Sequence, residues 1–204
     1  LRCLVGSEMC IRDRYKEDIL ASVSHAEMLY KQKIITIKIK DKILWGLKRI
    51  QNEIEKKNFK FDENLEDIHM NIENRLFELI GNDAGYLHSA RSRNDQVVTD
   101  LKLWLKKSTI EIDSLLLKLI KSLIKISEKN IFSIMPGFTH LKNAQPISLA
   151  HYFLSNVEMF KRDRFRFSSN MKSLNQNPLG AGAFSGTSFN ICLLYTSPSP
   201  RDIG

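Results

Sequence analysis

Three polar stretches hold the residue types that could do chemistry: GYLHSARSRNDQ at 85–96, PGFTHLKNAQP at 136–146 and NPLGAGAFSGTS at 177–188. The first sets Arg93 and Asn94 beside Asp95, just before an apolar helical pattern. Unpaired N–H groups and the positive dipole end make a helix start a natural holder of carboxylates, and the guanidinium of Arg93 offers a two-pronged fork for one. The bland alternative is a solvated cap, with Ser92 and Asp95 spaced as a capping box and Asn94 also able to cap. In the second stretch Thr139 and His140 lie between Pro136 and Pro146, on backbone that the prolines stiffen. Histidine titrates near neutrality, so in a pocket it transfers protons, whereas on a surface loop it does nothing. The glycines of PLGAGAFSG let backbone approach a ligand closely, but no strand precedes them and the lysine spacing of a phosphate loop is absent. His69, beside Glu66 and Asp67 in LEDIHMNIEN, reads by itself as part of a solvated polar helix face.

Long helices must position these stretches. Apolar residues recur at steps of three and four over Tyr15–Lys33 (Ile19, Leu20, Val23, Ala26, Leu29), Asp41–Lys57 and Asn64–Ile80, with Gly81 as a stop. Between the first two, IITIKIK reads equally as a short strand and as a β-branched linker. Gln96–Lys129 continues without proline or glycine for roughly 50 Å, a length that suits a bundle. A second long helix is expected to begin at Pro146, whose missing N–H is harmless in a first turn, and to run to Met171. The chain is thus expected to be all-α, with long helices joined by polar loops.

Composition excludes several classes. The 204 residues are 43% hydrophobic, enough for a core, and carry 31 Lys+Arg against 23 Asp+Glu, a net charge of +8. The lysines are scattered at helical spacing, which describes a solvated surface and not a nucleic-acid site. The longest apolar candidate, Leu115–Ile126, contains Lys118, Lys121 and Lys125, so no membrane span is expected. Cys3, Cys10 and Cys192 have neither disulfide-framework nor metal-site spacing, and no metal is expected. LRCLVGSEMCIRDR and CLLYTSPSPRDIG differ in texture from the Lys/Ile/Asn-rich remainder. Residues 1–14 and 192–204 are therefore read as non-native flanks, the first lacking the layout of a signal peptide. Between them, 15–90 is expected to form an N-terminal helical domain and 91–191 the first part of a central helical bundle.

ARSRNDQVVTDLKLWL, FTHLKNAQPISLAHYFLSNVEMFKRD and PLGAGAFSGTSFNI together resemble argininosuccinate lyase, of the fumarase/aspartase superfamily. YKEDILASVSHAEML and LEDIHMNIENRLFELIG fit the same family in the same order, so the resemblance covers about residues 15–191. It implies a fumarase-type long-helix bundle and β-elimination of argininosuccinate to arginine and fumarate in arginine biosynthesis. It further implies no cofactor and a cytoplasmic homotetramer whose sites draw on several subunits. By similarity His140 matches the catalytic histidine, in a proton-handling role of unassigned direction. Asn94 and Thr139 match substrate-binding positions, with Ser92, Arg93 and Gln145 beside them, and His69 matches a motif histidine near the substrate. The resemblance departs at the ends. LRCLVGSEMCIRDR stands where the family has LWGGRF and a substrate-contacting NAS serine, and CLLYTS stands where the pattern continues towards the GSS-MPQKKNP loop and its catalytic serine. The chain is accordingly expected to hold part of a site and to be inactive alone. The alternatives are a non-catalytic, crystallin-like structural homologue and another fumarate-releasing lyase.

Overall fold

The computed structural model describes residues 14–182 and 186–191. Its elements are α1 (Tyr15–Lys31), α2 (Ile37–Glu55), α3 (Ile68–Ile80), a 3₁₀ segment (Gly81–His88), α4 (Arg93–Lys129), β1 (Ile134–Thr139), β2 (Lys142–Ser148) and α5 (Leu149–Leu174). Among the described residues the fold is therefore all-α apart from one hairpin, and the proposed flanks lie outside them save for Arg14.

The IITIKIK segment is not a strand. Thr36 caps α2 through its hydroxyl, which accepts a hydrogen bond from the Ile39 N–H at 3.4 Å, so IKIK forms the first helical turn. Helical spacing wins because Ile43, Leu47 and Ile50 bury one continuous stripe, which an alternating strand would divide between two faces. Helix α3 starts at Ile68, four residues later than expected, because Asp67 caps it (Met70 N–H to Oδ1, 2.7 Å) and the preceding turn is tied by Asn71. Gly81, at φ 68°, ends it as the sequence suggests.

The expectation that a helix begins at Pro146 is overturned. Pro146 lies in β2, opposite Pro136, and α5 starts at Leu149 with Ser148 as its cap. In a two-stranded sheet both strands are edges, where the missing proline N–H costs no ladder bond that a central strand would need. Gly137 sits at the irregularity in β1, where a Cβ would come 2.4 Å from the Gln145 carbonyl oxygen. The two strands approach this closely only because the side chain is a hydrogen atom.

The chain divides into two compact units: residues up to Trp104 together with those from Asn177 on, and Leu105–Gln176. The division does not follow the border at 90/91, because the first turns of α4 carry buried Asp95, Gln96, Thr99 and Asp100 within the first unit. That unit has the main core, where Met28, Leu29, Ile43, Leu47, Ile50, Ile72 and Leu76 are fully enclosed. Arg75 of α3 bonds both oxygens of Glu53 of α2, at 2.9 and 3.0 Å, and strengthens that packing.

The second unit contains the remainder of α4, the hairpin and α5. Arg164 grips both oxygens of Asp113, at 2.7 and 2.9 Å. Its apolar residues are poorly covered: Leu115 is 55% exposed, Ile110 52%, Met159 51% and Phe165 73%. Faces of this kind are normally covered by further helices. The 204-residue chain alone is therefore expected to aggregate or to melt without cooperativity. Size-exclusion chromatography and a thermal scan check this; a sharp cooperative melt from a monodisperse monomer would contradict it. No described helix is long and apolar enough to cross a membrane.

Candidate active site

The opening of α4 is a capping box. Asp95 Oδ1 accepts the Ser92 N–H at 3.1 Å, and Ser92 Oγ accepts the Asn94 N–H at 3.3 Å. The second oxygen of Asp95 reaches the glycine-rich stretch, accepting the N–H groups of Gly180 at 3.2 Å and Gly182 at 2.8 Å. One buried carboxylate thus starts the long helix and fastens the glycine loop to it. Gly182 stands at φ 64°, where an added Cβ would be 2.7 Å from the Gly186 carbonyl, so loop closure there requires glycine. Between the two stretches lies a cavity of about 360 Å³ lined by His88, Ala90, Arg91, Ser92, Gly182, Gly186 and Thr187.

Beneath this opening runs a buried polar network. Arg93 donates to Glu73 Oε2 at 2.6 Å and, through Nη1, to Gln96 Oε1 at 3.1 Å. Gln96 donates from Nε2 to Asp18 Oδ1 at 2.5 Å, and the same oxygen lies 2.9 Å from His69 Nδ1. Asp100 Oδ2 is 3.4 Å from that nitrogen. Arg91 donates to Ser22 Oγ at 3.1 Å and lies 3.7 Å from Glu73 Oε1. His25 Nε2 meets the Ser89 carbonyl at 2.9 Å.

The electrostatics follow from burial and proximity. Burial pushes the Asp18 carboxyl up, but the His69 hydrogen bond, His69 and Arg91 charges and Gln96 outweigh it and hold it below the usual range. Asp100, fully enclosed and beside Asp18, is pushed up to about 9 by burial and then by the Asp18 charge, with Arg91 only partly opposing. His25 is pushed down to about 4 by burial and by Arg91. Desolvation lowers Arg91 from its ordinary value, against the pull of Asp18, Glu73 and Asp100.

These shifts predict a pH profile of stability. Between about pH 4 and 9 the folded state keeps the Asp100 proton that the unfolded chain has lost, so stability falls as pH rises. His25 acts oppositely, but only between about 4 and its unfolded value of 6.5, where the unfolded chain binds the extra proton. From pH 7 to 9 the Asp100 contribution therefore stands alone among these shifts. The unfolding free energy of the full-length wild type is expected to decline there by up to about 1.4 kcal/mol per pH unit, the limit for one proton. Asp100→Asn should flatten the decline in urea titrations; equal slopes in both proteins would contradict the assignment.

Ser92, Arg93 and Asn94 lie together in the first unit, with Ser92 on the cavity and Asn94 exposed. The Arg93 fork, expected to meet a ligand carboxylate, is occupied by Glu73 and Gln96. His69 is not on a solvated face: it is 3% exposed, because the α3 face that carries it packs inward with Ile68 and Ile72. Thr139, His140 and Gln145 are exposed on the hairpin of the second unit. His140 and Leu141 form its two-residue turn, both at positive φ (50° and 62°), the geometry of tight hairpin turns that usually take Asn-Gly. The sequence reading missed Asp18, Arg91, Gln96, Asp100 and Glu73. The signal for two of them was present: Arg93, Gln96 and Asp100 recur at steps of three and four, which places polar groups on one helix face.

A model of a lyase family matches residues 7–197. The argininosuccinate lyase of Pelagibacter ubique (strain HTCC1062) is 59% identical over 194 residues, 95% of this chain and 42% of that protein. That of Ehrlichia ruminantium (strain Welgevonden) is 52% identical over 87% of this chain and 38% of its own length. The chain thus spans about two-fifths of the length of these curated relatives. Among solved structures, EDDS lyase in complex with formate superposes with a TM-score of 0.80 at 25% identity, covering 91% of this chain and 36% of that one. The fumarate lyase:delta crystallin of Brucella melitensis bound to cobalt, at 20% identity, gives 0.75 over 94% and 45%. The family match over residues 7–197, with relatives 59% and 52% identical, places this chain in the lyase family.

Proposed function

We propose that the chain supplies part of the active site of an argininosuccinate lyase, which splits argininosuccinate into arginine and fumarate without a cofactor. The observation that carries the reading is the junction at Asp95, which gathers the RSRND helix start and the glycine loop around one cavity. The two relatives, 59% and 52% identical over the aligned residues, bear that name.

The chemistry matches what these residues offer. A proton leaves the carbon beside one carboxylate, negative charge grows on that carboxylate, and the guanidino nitrogen departs from the neighbouring carbon. Such a step needs fixed donors for the growing charge and groups that move protons. The N-terminal turn of α4, Ser92 and the side chain of Asn94 supply donors in the first unit. Thr139 and Gln145 supply further polar groups, and His140 handles a proton, its direction left open. The backbone at His140 and Leu141 favours this role: left-handed non-glycine residues each cost about 1–2 kcal/mol, and such strain collects at working sites. In this reading the protein is a cytoplasmic homotetramer serving arginine biosynthesis, and the exposed apolar faces of the second unit are covered by further helices and subunits. The full-length protein, given argininosuccinate, adenylosuccinate, aspartate and malate in turn, is expected to turn over the first. Preference for another substrate would move the assignment to a different lyase, and binding without turnover would favour a structural homologue.

A further inference from the structure

We propose that His25 is a positioning residue for the candidate site, clamping the strap 89–91 so that Ala90 stays left-handed and Ser92 meets the cavity at the start of α4. The clamp stands within the first unit alone, and only its effect on turnover rests on the reading above. His25, 1% exposed on α1, brings Nε2 within 2.9 Å of the Ser89 carbonyl oxygen. A carbonyl only accepts, so Nε2 carries the hydrogen. Burial and the Arg91 charge push the ring down to about 4, so it is neutral at pH 7 and its Nδ1 is bare. Among the described residues that nitrogen has no hydrogen-bond partner. Three residues earlier on the same face of α1, Ser22 Oγ accepts from Arg91 Nη1 at 3.1 Å. Helix α1 thus holds the strap at both ends.

Between the two holds, Ala90 has φ 60°, the left-handed region that a side chain disfavours. Such a residue persists only where its surroundings over-determine it. Here a hydrogen bond on each side does so, together with the packing of Ala90 against the main core. The strap matters to the site because it forms part of its wall. Ala90 and Arg91 line the cavity of about 360 Å³, and Ser92, the next residue, lines it too and opens the capping box of α4. For packing alone a histidine is a poor choice. Its bare Nδ1 is a buried acceptor with nothing to accept, a cost that an apolar side chain of similar size would not carry. What the ring supplies is one fixed N–H directed at one carbonyl.

Three measurements on the full-length protein test this. Histidine-selective ¹⁵N labelling, with the His25 signals assigned through their loss in H25Q, is expected to show at pH 7 a neutral ring protonated on Nε2. In His25→Leu, which keeps the bulk and removes the N–H, hydrogen exchange at the amides of Ser92 and Asn94 should quicken by about fivefold beyond any change at Leu47 and Ile50, the worth of one net hydrogen bond. The same variant should lower kcat for argininosuccinate by a similar factor at a temperature where it is folded. Two rescues separate positioning from packing. His25→Gln, whose amide nitrogen reaches the place of Nε2, should restore the hydrogen bond and bring turnover to within about twofold of the wild type. Adding Ala90→Gly to His25→Leu should recover most of the loss, because glycine takes φ 60° without a steric cost. A ring protonated on Nδ1, or charged, overturns the proposal without any variant, and so does exchange that quickens equally in the core. Full turnover in His25→Leu, or a loss that neither rescue repairs, overturns it as well. A wild type that releases no fumarate sinks the functional reading, and the nitrogen spectrum and the exchange rates then decide the clamp.

Discussion

In the full-length protein, His140→Asn is expected to lower argininosuccinate turnover by about 10²–10⁴-fold, the usual worth of a positioned proton-transfer group, while melting close to the wild type. The two halves of this expectation have separate causes. The imidazole lies on the exposed hairpin tip, so its removal leaves no cavity and no buried polar partner. The backbone at 140 has φ 50°, and asparagine is among the side chains that best tolerate that region, so the replacement keeps the turn. Steady-state kinetics beside a thermal scan check both halves. Turnover within about threefold of the wild type would remove His140 from the proton-handling role.

Arg91→Met is expected to produce the largest loss of stability, about 3–5 kcal/mol, because it strips the counter-charge from a buried acidic group of residues. The Arg91 side chain is 1% exposed, donates to Ser22 and lies near Glu73, and its charge counteracts the burial of Asp18 and Asp100. Methionine fills similar volume but leaves Asp18 and Glu73 with less compensation. The urea midpoint of the full-length protein should fall accordingly. A midpoint unchanged from the wild type would mean that the network holds no net charge for Arg91 to balance. Ser22→Ala, which removes one neutral partner only, should cost about 1 kcal/mol.

The sequence made the long helices legible, since Gln96–Lys129 carries its apolar period without proline or glycine and the structure extends it only to Arg93. The hairpin was illegible for a physical reason. Pro146 is as acceptable in an edge strand as in a first helical turn, and only the pairing of Ile134 with Ser148 and Met135 with Ile147 decides between them. IITIKIK misled in the opposite direction, as four β-branched residues in a row look extended until Thr36 caps a helix across them. At the site, the capping box of Ser92 and Asp95 could be read directly, because both partners lie within one turn. The second bond of Asp95, to a glycine loop 85 residues away, could not, because nothing local records a tertiary contact. His69 shows the same limit: beside Glu66 and Asp67 it looked solvated, but it is buried against an aspartate 51 residues earlier.

The central claim is that these residues belong to an argininosuccinate-cleaving site, and the release of fumarate by the full-length protein tests it most directly. With argininosuccinate as the sole substrate, fumarate absorbance is expected to rise steadily and to exceed the rate with adenylosuccinate, aspartate or malate. No rise from a folded, homogeneous preparation, or a faster rise with one of the other three, would contradict the account.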